Sequence, residues 1–153
     1  MEQRIDYWDK APDALNGMVH LEKMVKESNL ESSLNELVKL RASQINGCAY
    51  CIDMHTKDAR QAGETEQRLY ELNAWRETDF YSDREHAALK WTEALTEISL
   101  HRISDELYKS VQEYFSEVEM VILTVSIIAM NGWNRLAIGF GTEPGSYKPE
   151  LTN

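Results

Sequence analysis

The chain has 153 residues, a length that suits one domain with a single core of useful size. Sixteen Lys and Arg stand against 26 Asp and Glu, a net charge of −10 that no basic patch relieves. That balance argues against nucleic acid or an acidic membrane surface as partner. Apolar residues at 42% and charged residues at 27% describe a folding chain, and 7 Gly with 3 Pro are too few for a turn-rich all-β fold.

The opening run from Met1 to Asp6 is charged and leads into no apolar stretch of the signal-peptide kind. Pro12 suits the first turn of a helix, on one face of which Leu15, Met18, Val19 and Val25 recur. Leu34, Leu37, Val38 and Ile45 continue the helical period until Asn46 and Gly47 supply a stop. A third helix is expected from about Cys48 to Gln61, closed by Gly63. Thr65 then caps a short fourth one carrying Leu69, Leu72 and Trp75. Two capping boxes follow, Ser82-x-x-Glu85 and Ser116-x-x-Glu119. The first opens a helix with Ala88, Trp91, Leu95 and Ile98 on one stripe, and a further helix is expected from near Ser104 to about Tyr114. The second box opens a long segment from Val118 through Trp133 to Phe140 that is apolar nearly all round. Such a helix is either the centre of the core or a subunit interface. Its most apolar run, Val121 to Met130, is half a membrane span and contains Thr124 and Ser126, so a soluble, cytoplasmic protein is expected. The tail from Gly141 to Pro149 reads as irregular. Without repeats or low-complexity linkers, the expectation is a single all-α domain over residues 1–153.

Chemistry concentrates between Cys48 and His55. Cys48, Cys51, Ile52, His55 and Ala59 stand at i, i+3, i+4, i+7 and i+11 and share one helical face, while Asp53, Lys57 and Arg60 point elsewhere. Cys48 sits at the helix start, where unpaired N–H groups and the macrodipole favour a thiolate. His55, one turn beyond Cys51, can take its proton or stabilise its thiolate. The two-residue spacer lets the sulfurs close a small disulfide ring. A thiolate that attacks a peroxide oxygen becomes a sulfenic acid, and a neighbouring thiol condenses with it. Other readings stay open at this point. The cysteines can be inert small apolar residues. Cys48, Cys51 and His55 can also be zinc ligands, although a structural site usually draws four from a loop or knuckle. Covalent c-type haem is disfavoured because Ile52, not His, follows Cys51.

Glu36, in the preceding helix, could fold back to orient His55, but periodicity favours an ordinary exposed helix carboxylate. His20, His86 and His101 lie on three segments without partners at ligand spacing and are expected at the surface or at caps. Tyr50, Trp75, Trp91 and Trp133 are expected in the core or an interface, with one or two lining the way to Cys51. Asn134 and Arg135 are expected to satisfy buried groups or carboxylates across a subunit boundary.

The run from Arg41 to Arg60 resembles the core signature of alkylhydroperoxidase D (AhpD)-like proteins of the carboxymuconolactone decarboxylase superfamily. Gly63 to Tyr70, Ala74 to Arg76, Trp91 to Leu95 and Asn131 to Leu136 resemble the same group, so the likeness spans about Leu34 to Gly145. It implies an all-α AhpD-like domain that assembles through the long apolar helix as a homotrimer or homohexamer. It also implies thiol-dependent reduction of hydroperoxides, with no bound cofactor or metal and with electrons from an external dithiol or a lipoylated reductant protein. Carried over by position, Cys51 is the peroxidatic residue, Cys48 the proton donor and resolving thiol, and Glu36 with His55 the relay that deprotonates Cys51. Helix electrostatics alone would have favoured Cys48 as the attacking thiolate. One position departs from the pattern. The best-known members carry a histidine immediately before the second cysteine, where this chain has Tyr50. Tyrosine is no base near neutral pH, so the relay runs through His55 and Glu36 alone. The decarboxylase branch does not rely on a CxxC pair, which favours the redox branch. Two rivals remain: a thiol–disulfide oxidoreductase or redox sensor with weak peroxidase activity, and a non-enzymatic helical oligomer with inert or zinc-bound thiols.

Overall fold

Residues 2–149 are described by a computed structural model, and their regular structure is helical, with no strand among them. In chain order the elements are α1 (Tyr7–Lys10), α2 (Pro12–Lys26), α3 (Ser32–Asn46), α4 (Ala49–Gln61), α5 (Glu66–Glu71), a 3-10 segment (Leu72–Glu77), α6 (Asp83–Thr96), α7 (Asp105–Gln112) and α8 (Glu117–Phe140). The all-α expectation holds among the described residues, which form a single domain.

Local chemistry sets the ends that matter. Both capping boxes form: the hydroxyls of Ser82 and Ser116 accept from the backbone N–H of Glu85 and Glu119, whose carboxylates accept from the serine N–H groups at 2.8 Å. α3 ends at Gly47, which takes φ +70°, a left-handed conformation that favours glycine. The turn is so tight that Cys48 is at once the N-cap of α4. α3 and α4 therefore form a helical hairpin, and residues on facing turns of the two are brought side by side.

α3 packs against α4, α6 and α8, so it is the most central element. Leu34 and Val38 of α3 meet Ala88 and Trp91 of α6 and Met120, Leu123 and Ile127 of α8 in one cluster. Full burial of a side chain such as Leu123 or Ile127 is worth about 1.5–3 kcal/mol. A second cluster joins Leu37 and Leu40 to Leu69, Leu72, Trp75 and Leu89. A third, small one holds Cys48 and Cys51 among Ala42, Met130 and Ala137. α8 answers the first sequence possibility on one face, which is core, while Val118, Val121, Ile128 and Ile138 are exposed. The 24-residue α8 is long and apolar enough to cross a membrane by length and composition, beyond the half-span read from Val121 to Met130. Here it lies against α2, α3 and α6.

Several local expectations need correction. α1 was not expected; Asp6 nucleates it by accepting from the N–H groups of Trp8 and Asp9. Val19 is exposed rather than core, because its turn of α2 borders a cleft. The fourth helix breaks after Glu71 into the 3-10 segment, where Ala74 leaves helical geometry. Ile98 falls beyond the end of α6, in a turn closed by Leu100 N–H on Glu97 O, and is exposed. α7 stops at Gln112.

Both ends of the described chain fold back over α4 and α8. Arg4 donates from its backbone to Phe140 O at 2.8 Å and from its guanidinium to Gly139 O, which satisfies carbonyls at the α8 terminus. The tail is irregular as expected, yet tethered: Lys57 donates to Tyr147 O, Gly145 N–H donates to Asp53, and the Tyr147 hydroxyl donates to Asp58.

Candidate active site

Cys48 and Cys51 are joined as a disulfide, with Cα atoms 5.3 Å apart. Each is 1% exposed. In this state neither sulfur is a metal ligand. Cys48 occupies the N-cap of α4, and its Sγ accepts from Cys51 N–H at 3.3 Å. The predicted face is real: Cys48, Cys51, His55 and Ala59 are buried, whereas Asp53, Lys57 and Arg60 lie outside it.

Glu36 is the principal correction within the site. Periodicity placed it at the surface; the hairpin instead sets it against α4, with Glu36 Oε2 2.9 Å from His55 Nδ1. Burial pushes the Glu36 carboxyl up, but the hydrogen bond and charge of His55, with Lys39 nearby, outweigh it and hold the group below its ordinary value. An ionised Glu36 accepts from Nδ1–H, which leaves the lone pair on Nε2. His55 Nε2 is buried and has no hydrogen-bond partner among the described residues. It is therefore a base aimed into the protein, on the face it shares with Cys51.

These groups line a cleft of about 310 Å³. Cys51, His55, Glu36 and Asp58 supply its reactive wall, and Tyr50 and Trp133 part of its aromatic wall, as the sequence had allowed. Trp8 was not anticipated there; it stacks on Trp133 with centroids 5.5 Å apart, and it comes from a segment with no periodic signal. Asp58 and Lys39 were also missed, although their spacing of i+3 from His55 and from Glu36 was legible. Burial, with the neighbouring Glu36 charge, raises the Asp58 carboxyl against the Tyr147 hydrogen bond. Lys39 is buried and bridges Glu22 at 2.6 Å and Glu36 at 3.8 Å. Donor atoms of Glu36, His55 and Asp58 lie within 4.8 Å of one another, a spacing that could hold a cation. The same three groups can equally pass a proton.

Outside the cleft, Asn134 is fully buried and joins Asn46 to Ser43, as expected of a polar residue on an apolar helix. Arg135 instead donates to Asn131 on its own helix. Trp75 and Trp91 are core residues. His86 is neither a surface nor a cap residue: its ring packs edge-on to Trp75 and beside Tyr81.

Residues 12–94, more than half of the chain, match the Carboxymuconolactone decarboxylase family. The chain belongs to that family. Uncharacterized protein YdfG of Bacillus subtilis (strain 168) is 48% identical over 146 residues, 95% of this chain and 99% of that protein. A crystal structure from Agrobacterium tumefaciens, of a protein of unknown function provisionally described as the antioxidant defence protein AhpD, superimposes with a TM-score of 0.91 at 40% identity. The match covers 95% of this chain and 100% of that one. The debrominase Bmp8 shares the fold at a TM-score of 0.80 and 20% identity, over 90% of this chain and 74% of its own. Within the carboxymuconolactone decarboxylase family this chain is AhpD-like, and its Cys48–Cys51 pair fits a CxxC peroxidase at family level.

Proposed function

We propose that the protein is a thiol-dependent peroxidase that reduces hydroperoxides through Cys51 and Cys48, with His55 and Glu36 as proton relay. The observation that supports this most is the junction of three features at one cleft: Cys51 of the buried pair, a histidine nitrogen without a partner, and a carboxylate behind that histidine. A free thiol is only a few per cent ionised at neutral pH, so an adjacent base is what a thiol nucleophile needs. His55 Nε2 takes the Cys51 proton, and Glu36 steadies the imidazolium through Nδ1–H. The Cys51 thiolate attacks the terminal peroxide oxygen; an S–O bond forms, the O–O bond breaks, and the alkoxide leaves as alcohol with the proton from His55. Cys48 then attacks the Cys51 sulfenic acid, forming the disulfide and releasing water. An external dithiol, a lipoyl group being one candidate, restores both thiols. The aromatic cleft wall suits an organic hydroperoxide.

A disulfide that must be re-reduced in every cycle suits the cytoplasm, where we place the protein. We also propose that the outer face of α8, with Val118, Val121 and Ile128, seals against further copies in a homotrimer or homohexamer. A monomer mass in sedimentation velocity would oppose that assembly.

The test is consumption of cumene hydroperoxide with dihydrolipoamide as reductant and a chelator present. Saturable turnover that Cys51→Ser abolishes is expected; equal rates in the two proteins would refute the mechanism. Tyr50 favours a second reading, thiol–disulfide exchange with weak peroxidase activity, because burial holds its hydroxyl above the usual range and it offers no base beside Cys51. Fast exchange with the dithiol alongside peroxide rates no better than a free thiol would select that reading.

A further inference from the structure

The two sulfurs of the disulfide do not share an entrance. Cys51 lines the 310 Å³ cleft that holds His55 and Glu36, and Cys48 is absent from its walls. Cys48 lines a second cleft of about 190 Å³, bounded by the Gly47 turn, the end of α8 and the segment Gly141–Pro144; Cys51 is absent from that one. Tyr50 and Ala137 border both, and so form the partition between them.

The clefts differ in charge as well as in position. Around Cys51 stand Glu22, Glu36 and Asp58 against the single cation Lys39. Around Cys48, Glu143 is the one charged residue among those described, and Ala49, Ile138 and Pro144 give an apolar lining. A hydroperoxide is neutral at physiological pH and enters an acidic cleft without penalty. A thiol reductant attacks as the thiolate, which three carboxylates in a low-dielectric cleft repel.

We propose that the cleft beside Cys48 is the binding site of the dithiol reductant, separate from the peroxide entrance at Cys51; the proposal rests on the redox reading of the CxxC pair given above. A reductant thiolate attacks Cys48 Sγ. A reductant–Cys48 disulfide forms, the Cys48–Cys51 bond breaks, and Cys51 leaves as a thiolate beside His55. The second thiol of the reductant then attacks the mixed disulfide, closes the reductant's own disulfide and frees Cys48. Two electrons pass from the dithiol to the protein, and the two dithiol protons end on the two cysteines. Departure of the Cys51 sulfur is favoured because His55, on its side, stabilises the departing thiolate once Nε2 has taken up one of the dithiol protons. The opposite departure, of Cys48, would have the N-terminus of α4 and one 3.3 Å backbone hydrogen bond to support it.

The experiment mixes oxidised wild-type protein briefly with 2-mercaptoethanol, a monothiol that carries no second thiol with which to resolve its own mixed disulfide intramolecularly. The mixture is quenched with acidic N-ethylmaleimide, and the peptide that spans both cysteines is sequenced by tandem mass spectrometry. The 2-mercaptoethanol adduct is expected on Cys48 and the maleimide on Cys51; the reverse pattern overturns the proposal. A second readout uses Ile138→Trp, which fills the Cys48 cleft from a half-exposed position on α8. Single-turnover reduction by dihydrolipoamide is expected to slow at least about tenfold, while oxidation of the pre-reduced variant by cumene hydroperoxide keeps its rate. Equal slowing of both half-reactions, or of neither, contradicts two separate entrances. If peroxide fails to oxidise Cys51 at all, the peroxidase reading falls, whereas an adduct on Cys48 would still establish the dithiol site.

Discussion

Glu93 and Glu36 are both carboxylates set between helices, and the protein uses them in opposite ways. Glu93 accepts from Arg41, Arg76 and the Trp75 indole, all within 2.8 Å. Burial would raise it, but these donors together hold it below its ordinary value. Both of its oxygens have donors among the described residues. Glu36 holds one close partner inside the cleft, His55, and that partner ends in an unpaired Nε2. A buried polar atom without a partner costs roughly 1–3 kcal/mol. The closed cluster fastens the 3-10 segment to α3 and α6; the open one leaves proton capacity next to a redox pair. Completeness of hydrogen bonding, more than charge or burial, separates the structural carboxylate from the one proposed to serve the relay.

That contrast can be broken by substitution. Within the open cluster, Cys51→Ser should cost about a thousandfold or more in peroxide turnover, since serine supplies no comparable nucleophile. His55→Gln should lower kcat/KM by roughly 10²–10⁴, the usual worth of a positioned general base, with melting temperature little changed. Glu36→Gln should cost about tenfold to a hundredfold, as expected for a group that orients a histidine from behind. In the closed cluster the pattern inverts. Glu93→Gln should destabilise by about 3 kcal/mol, because it strands the largely buried Arg41 guanidinium and removes a partner of the half-exposed Arg76, yet leave kcat/KM unchanged in the folded fraction. Urea melts and steady-state kinetics on the same preparations would read both columns of this comparison. An activity loss for Glu93→Gln equal to that for Glu36→Gln would erase the distinction.

The smallest effect concerns a third carboxylate, Glu119, at the α8 capping box. The Ser116 N–H, then Arg84, then the Ser116 hydroxyl hold it down at about 2. A folded-state value below the ordinary 4.5 means that this contribution is complete above pH 4.5 and is lost as pH falls towards 2. Glu119→Gln should therefore cost about 1 kcal/mol at pH 7, and the gap to wild type should close below pH 3. A gap independent of pH would place the effect elsewhere than in the charge.

What the sequence disclosed follows the same division between local and non-local physics. The capping boxes, the stop at Gly47 and the Cys48–His55 face are set by neighbours within a few residues, and all were legible. Periodicity alone misread Glu36, which the resemblance had paired with His55, because periodicity reports a face and not what meets it; only the hairpin turn decides that this edge of α3 meets α4. Val19 and Trp8 illustrate the converse. Their apolar surfaces look like core signals or like nothing at all, and they line an opening rather than fill an interior. Lys39 and Asp58 gave no signal because their partners come from afar, Glu22 on α2 and Tyr147 in the tail. Ile98 matched the stripe of α6 but lay past its end, where spacing ceases to carry information.

The central claim is that Cys51, backed by His55 and Glu36, is the sulfur that meets peroxide. Its most direct test is trapping of the first product. Reduced Cys48→Ser protein, which has no resolving thiol, is mixed with one equivalent of cumene hydroperoxide and dimedone, and reduced Cys51→Ser protein is treated alike. Rapid, stoichiometric sulfenic-acid labelling of Cys51 in the first protein, with slow labelling of Cys48 in the second, is the predicted result. Faster labelling of Cys48 would contradict the account and return the attacking role to the thiol at the helix N-cap.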